Sequence, residues 1–208
     1  MLHASSPSSL SPDPTTLPAA GRRRRRLARP GRRALLATLG LIPVLVIGGV
    51  FASPFIVQHS SMVTTLEPGA VLLVDRVSPE LNGIQRGEVV VFRPPIAGYT
   101  GEPFVKRVIG LPGEHVSIRA GHVYINGQEL AEPYVYDGEL TTTSVADYEL
   151  TVPAGDVFVL GDHRADSYDS RGYGPVPISS ILGRAWLALE PGASPALLSS
   201  PAYPSVVG

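Results

Sequence analysis

The chain of 208 residues has no cysteine, one lysine, one tryptophan and two methionines. Without cysteine there can be no disulfide, no thiolate nucleophile and no cysteine–zinc site. That absence is compatible with an oxidising exterior, where an unpaired thiol is a hazard. None of the five histidines stands in an H-E-x-x-H motif, which argues against a zinc protease. No metal or organic cofactor is expected. The scarcity of lysine says most. Sixteen arginines carry nearly all the positive charge, and Lys106 stands alone. A guanidinium cannot serve as a base near neutral pH, whereas a desolvated lysine can. In Phe104-Val105-Lys106-Arg107-Val108-Ile109-Gly110, strand alternation puts Lys106 on the face of Phe104 and Val108, with Arg107 opposite. An amine between apolar neighbours resists protonation, so its pKa should fall. A GC-rich gene drifting to arginine would also leave a stray lysine, so the position needs support from elsewhere in the chain.

Charge is absent from residues 34–57 altogether. As a helix this segment would span about 36 Å, against a hydrocarbon core of about 30 Å. Residues 1–33 carry eight arginines against the single acid Asp13, a net of +7. Residues 34–208 carry nine basic and seventeen acidic side chains, a net of −8. This asymmetry excludes a uniformly basic nucleic-acid binder. Arginines before the apolar run predict a cytoplasmic N-terminus, with the C-terminal bulk outside. A cleavable signal peptide usually has a shorter apolar stretch and an A-x-A-like exit, which Phe51-Ala52-Ser53-Pro54 matches poorly. The expected organisation is a disordered arginine-rich tail (1–33), a transmembrane signal anchor (34–57), an extracytoplasmic domain (58–189) and a flexible Pro/Ser-rich tail (190–208). The membrane is thus one expected partner, and the chain a single-pass plasma-membrane protein.

Beyond the anchor the periodicity is that of strands. Residues 70–74, 88–92, 104–109 and 156–160 are apolar runs bounded by glycine or proline, and 183–189 forms a last one. Residues 116–119 and 122–125 read as a hairpin around Ala120-Gly121, closed by Asn126-Gly127. The polar stretch 128–150 reads as a lid or surface insertion within a region of about 115–150. The fold class expected is mainly β: an antiparallel sheet with a small insertion, preceded by one transmembrane helix. Some 130 ordered residues are enough for one core.

Four segments bear on chemistry. Ser60-Ser61-Met62-Val63-Thr64 follows the anchor directly. Arg86-Gly87-Glu88 opens an apolar run. The Lys106 strand leads into Leu111-Pro112-Gly113-Glu114. Last comes Gly161-Asp162-His163-Arg164-Ala165-Asp166-Ser167-Tyr168-Asp169-Ser170-Arg171. In this order, and with the anchor, they resemble the bacterial type I signal peptidases (leader peptidases), serine proteases with a Ser/Lys dyad. The resemblance covers about residues 57–188. It implies that Ser61 is the nucleophile and Lys106 the general base. It implies that the Ser167 hydroxyl orients the lysine and that Asp169 and Arg171 buttress the site, while Asp162 more simply shapes the loop. The chemistry is coherent, since a serine hydroxyl needs an adjacent base and a desolvated neutral amine can be one.

The resemblance further implies an extended substrate bound by strand addition, with small residues such as alanine at the first and third positions before the cut. Val57, Gln58, Phe104 and Val105 would line that groove, although Phe104 and Val105 equally suit a core. Oxyanion donors are sought among the Ser61 backbone N–H, His59 and Ser60. The chain departs from the family pattern at His59, where a small hydroxyl or glycine is usual, at Thr64, where proline is usual, and at His163, where asparagine is common. These departures bear on oxyanion geometry and turnover more than on fold. The partners implied are signal peptides of secreted preproteins and the bilayer, with no nucleic acid. The rival readings are a catalytically weak member that binds exported peptides without cutting them, and a dedicated peptidase with one special substrate. A self-cleaving repressor-type protease would need a DNA-binding domain where the anchor stands.

Overall fold

A computed structural model describes residues 52–77, 79, 83–143 and 147–203. Twelve strands lie in them: β1 (Ala52–Ile56), β2 (Val71–Asp75), β3 (Val89–Phe92), β4 (Phe104–Gly110), β5 (His115–Arg119), β6 (His122–Ile125), β7 (Gln128–Glu129), β8 (Asp147–Thr151), β9 (Asp156–Leu160), β10 (Val176–Pro177), β11 (Ile181–Leu189) and β12 (Ala196–Leu197). The larger sheet runs β1-β2-β11-β3-β4-β9-β10, with β12 beside β11, and the smaller runs β7-β6-β5-β8. Every pairing is antiparallel. The mainly β, antiparallel architecture read from the sequence is therefore present.

β3 and β9 carry unbroken apolar runs because both of their faces are covered. Val89 and Val91 of β3 enter one core with Val57, Met62, Leu66 and Val105, while Val90 and Phe92 enter another with Val108, Val157 and Val159. A third core lies where β4 and β9 meet the smaller sheet, around Ile109, Val116, Ile125 and Phe158. The β5–β6 turn holds Ala120 and Gly121 at φ 48° and 84°, the twist that a two-residue hairpin demands. At the far end of β4, Arg86 pairs with Glu114 and donates to the Ile109 carbonyl at 2.5 Å. Glu114 in turn accepts the Leu111 N–H at 2.7 Å. Two of the sequence motifs thus clamp the strand that carries Lys106.

Three segments differ from expectation. Ala52–Ile56, counted into the apolar anchor, is an edge strand in register with β2 from Ala52↔Asp75 to Ile56↔Val71. An edge tolerates Pro54, whose missing N–H would break a central ladder. The rest of the expected anchor and the N-terminal tail lie outside the described residues. Among the described residues no helix is long and apolar enough to cross a membrane. Residues 128–143 are tied into the domain rather than standing free: Leu130 and Tyr134 enter the third core, and Thr141 is buried. The Pro/Ser-rich tail is also held as far as Tyr203. β12 pairs with β11, Leu198 packs on the first core, and the Tyr203 hydroxyl donates to that of Tyr134 at 3.2 Å.

Candidate active site

Ser61 sits in a 3-10 turn, Ser60–Met62, between β1 and β2. The Val63 N–H closes the turn on the Ser60 carbonyl at 3.0 Å, and the Leu66 N–H reaches the Met62 carbonyl at 2.8 Å. Met62 and Leu66 are buried in the first core and fix the turn at its rim. From the other side, the loop after β9 packs against the backbone of Ser61. The His163 N–H donates to the Ser61 carbonyl at 3.1 Å. A Cβ on Gly161 would lie 2.5 Å from the same oxygen, so only glycine fits there.

Lys106 lies opposite Val90 in the β3–β4 ladder and is only 5% exposed. Its Nζ stands 2.6 Å from Ser61 Oγ and 5.5 Å from the centre of the Phe104 ring. Burial pulls the lysine pKa from 10.5 down to about 8. Asp169 and Asp162 oppose that fall, Arg171 adds to it, and Asp166 opposes it more weakly. In the ammonium form the lysine donates to the hydroxyl. Once neutral, its lone pair faces the hydroxyl along the same line.

Three arginines hold the loop that backs this pair. Arg107, on the opposite face of β4, donates Nε and Nη2 to Asp162 at 2.8 and 2.6 Å, and Nη1 to the Gly87 carbonyl at 2.8 Å. Arg164, itself buried, donates to the Gly161 carbonyl at 3.0 Å and pairs with Glu132 at 2.5 Å. It thereby ties the loop to the segment after β7. Asp169 caps the short helix α1 (Ser170–Tyr173) and accepts from Arg171 Nε and Nη2, both at 2.8 Å, and from the Gly161 N–H at 3.1 Å. Arg171 Nη2 also donates to the Arg164 carbonyl at 2.7 Å.

The family model described as "Signal peptidase, peptidase S26" matches residues 31–189. The chain belongs to this family. It is a serine endopeptidase, a peptide-bond hydrolase. A protein named signal peptidase I from Leptolyngbya laminosa is 40% identical over 166 residues, covering 75% of this chain and 78% of that one. Signal peptidase I U of Bacillus subtilis (strain 168) is 37% identical over 148 residues, 68% of this chain and 78% of its own. A solved signal peptidase I of Enterococcus faecalis V583 is 38% identical, with a TM-score of 0.41 over 49% of this chain and 95% of that chain.

Within this family member, the structure brings Ser61 and Lys106 into direct contact. It also sets Val57, Gln58, Phe104 and Val105 around one cleft with them. Val105 belongs to the first core, and Phe104 packs against the second and meets Tyr99 edge to face at 5.5 Å, so both residues also serve the cores. Asp169 and Arg171 form a buried pair rather than a surface one. Ser167 differs from expectation. It lines the cleft, but its hydroxyl is buried and has no hydrogen-bond partner among the described residues. The lysine amine reaches Ser61 instead. The Ser60 hydroxyl donates to Asp166, which removes its proton from use elsewhere. His59 is extended and exposed at the cleft mouth. Sequence reasoning missed Gly161, Arg164 and Asp166. All three stand in the Gly161–Arg171 segment quoted from the sequence, but only the fold shows that this segment packs on the backbone of Ser61.

Proposed function

We propose that this enzyme is a membrane-anchored signal peptidase I that cuts N-terminal signal peptides from translocated preproteins, with Ser61 as nucleophile and Lys106 as general base. The observation that carries this reading is the 2.6 Å contact between Ser61 Oγ and the chain's one lysine, buried and with its pKa lowered to about 8. Neutral Lys106 takes the hydroxyl proton as Ser61 Oγ attacks the scissile carbonyl. The ammonium then gives that proton to the leaving amine. Neutral again, the lysine activates the water that releases the acyl group. The Ser61 backbone N–H is the first candidate oxyanion donor, with His59 as the candidate second. Asp169 and Arg171 act by holding the loop that backs the nucleophile.

Substrate binding follows from the strands. β9 pairs with β4 only over Arg107–Gly110, so one edge of Phe104–Lys106 is not covered by β9. An extended peptide can add there, with its side chains directed between Val57–Gln58 and Phe104–Val105. Ala52–Ile56 belong to the sheet, and the uncharged residues 34–51 before them would, as a helix, span about 27 Å, close to the hydrocarbon thickness. Anchoring holds the cleft near the bilayer surface and raises the effective concentration of signal peptides.

The test is cleavage, in detergent or lipid, of a preprotein carrying an Ala-x-Ala site by wild type, Ser61→Ala and Lys106→Arg. Wild type should cut after the second alanine. Arginine keeps the charge but cannot act as the base, so Lys106→Arg should lose at least about 10²–10⁴ in rate. Retention of activity by either variant sinks the assignment.

A further inference from the structure

The loop after β9 carries three carboxylates close to the reacting pair, and two are neutralised by arginine. Asp162 pairs with Arg107 and Asp169 with Arg171, both buried. Asp166 is exposed, and among the described residues no cation pairs with it. An exposed carboxylate is ordinarily just solvated. This one is pinned, because it accepts the hydroxyl of Ser60, the residue next to Ser61. It stands on the wall of a cleft that it shares with Ser61, Lys106, Ser167, Tyr168 and Tyr99. A second arm of the cleft, with Val57, Gln58 and Val105 but without Asp166, also borders the pair. If that arm receives the residues before the cut, the chain beyond the scissile bond leaves across Ser60, Asp166 and Tyr168.

We infer that Asp166 is a specificity-determining residue that reads the charge of the first two residues after the cut, favouring a cationic side chain and rejecting an acidic one. The inference rests on the peptidase reading above and names a substrate preference for it. A fixed, unneutralised charge beside a peptide groove attracts one sign and repels the other, and water at the cleft mouth keeps the effect modest. Its weak upward influence on the Lys106 pKa places the same charge within electrostatic reach of the reacting atoms.

The experiment uses the full chain in detergent and three preproteins, identical except for Lys, Gln or Glu at the second residue after the cut. The set is repeated at the first residue. Wild type should prefer Lys over Glu by about tenfold in kcat/KM at low ionic strength, and high salt should shrink the ratio. Asp166→Asn keeps an acceptor for Ser60 and should bring the ratio to about one, while Asp166→Lys should invert it. Because each readout is a ratio, a general loss of activity in a variant does not mask it. Cleavage of all three substrates at equal rates by wild type overturns this inference and leaves the peptidase reading standing, as does a ratio that survives Asp166→Asn. Failure of wild type to cut any of the three overturns both.

Discussion

Replacing Lys106 by methionine removes a charge that the fold holds at a cost, and the size of that cost can be measured. Lys106 is 5% exposed, and its pKa falls from 10.5 to about 8. That fall corresponds to about 3 kcal/mol of opposition between folding and the ammonium. The folded pKa is the lower of the two, which sets the sign. Below pH 8 both states are protonated and the cost is complete. Between pH 8 and 10.5 the unfolded chain keeps a proton that the folded one sheds, so stability rises with pH. Above 10.5 the cost is gone. Lys106→Met should therefore be more stable than wild type by about 2–3 kcal/mol at pH 7, and the gap should close above pH 10.5. Denaturant unfolding of both proteins across that range reads the gap directly. With Lys106 as the proposed base, the same pKa should govern the rate. About a tenth of the lysine is neutral at pH 7 and about nine-tenths at pH 9, so kcat/KM of wild type should rise about tenfold between them. A flat rate profile from pH 6 to 9, or a methionine variant no more stable at pH 7, would refute the desolvation argument.

Other consequences follow from the supports of the site. Gly161→Ala puts a methyl 2.5 Å from the Ser61 carbonyl. It should cost about 1–3 kcal/mol in stability and about 10²-fold in turnover, measured by unfolding and by kcat. Asp169→Asn removes the strongest influence that raises the Lys106 pKa, so the inflection of the rate profile should move below 8. It also leaves the largely covered Arg171 without its anion, for a stability loss of about 3 kcal/mol; an inflection that moves upward contradicts the assignment of Asp169. Truncation after Pro195 removes β12, Leu198 and Tyr203, which pack on the first and third cores. The expected destabilisation is about 2 kcal/mol, read as a lowered denaturant midpoint, and an unchanged midpoint would show the tail to be dispensable.

The strands that the sequence revealed were apolar runs ended by glycine or proline, whether buried on both faces as in β3 and β9 or alternating as in β2. β1 was hidden by the same rule. Its apolar residues continue the run that began at Ala34, and periodicity alone does not tell a short strand from part of a longer apolar run. The tail was hidden by composition, since proline and serine suggest freedom and only the β11 edge and the Tyr134 hydroxyl show what restrains Ala196–Tyr203. The Asp169–Arg171 pair was visible as residues, but burial distinguishes a structural pair from a solvated one, and burial is not a property of two neighbours in a sequence.

The sequence by itself determined the chemistry on offer: no thiol, no zinc motif, a single amine able to lose its proton, and a serine placed just after an apolar run. Those are matters of residue type and order, which folding does not change. The tertiary structure alone decided which of these groups meet. It carried Lys106 across 45 residues to within 2.6 Å of Ser61, gave Asp162 and Asp169 their arginines and, among the described residues, left the Ser167 hydroxyl unbonded and Asp166 without a cation. Distances, desolvation and the pairing of charges depend on which strands lie side by side, and that is set by the packing of the whole sheet rather than by any one segment.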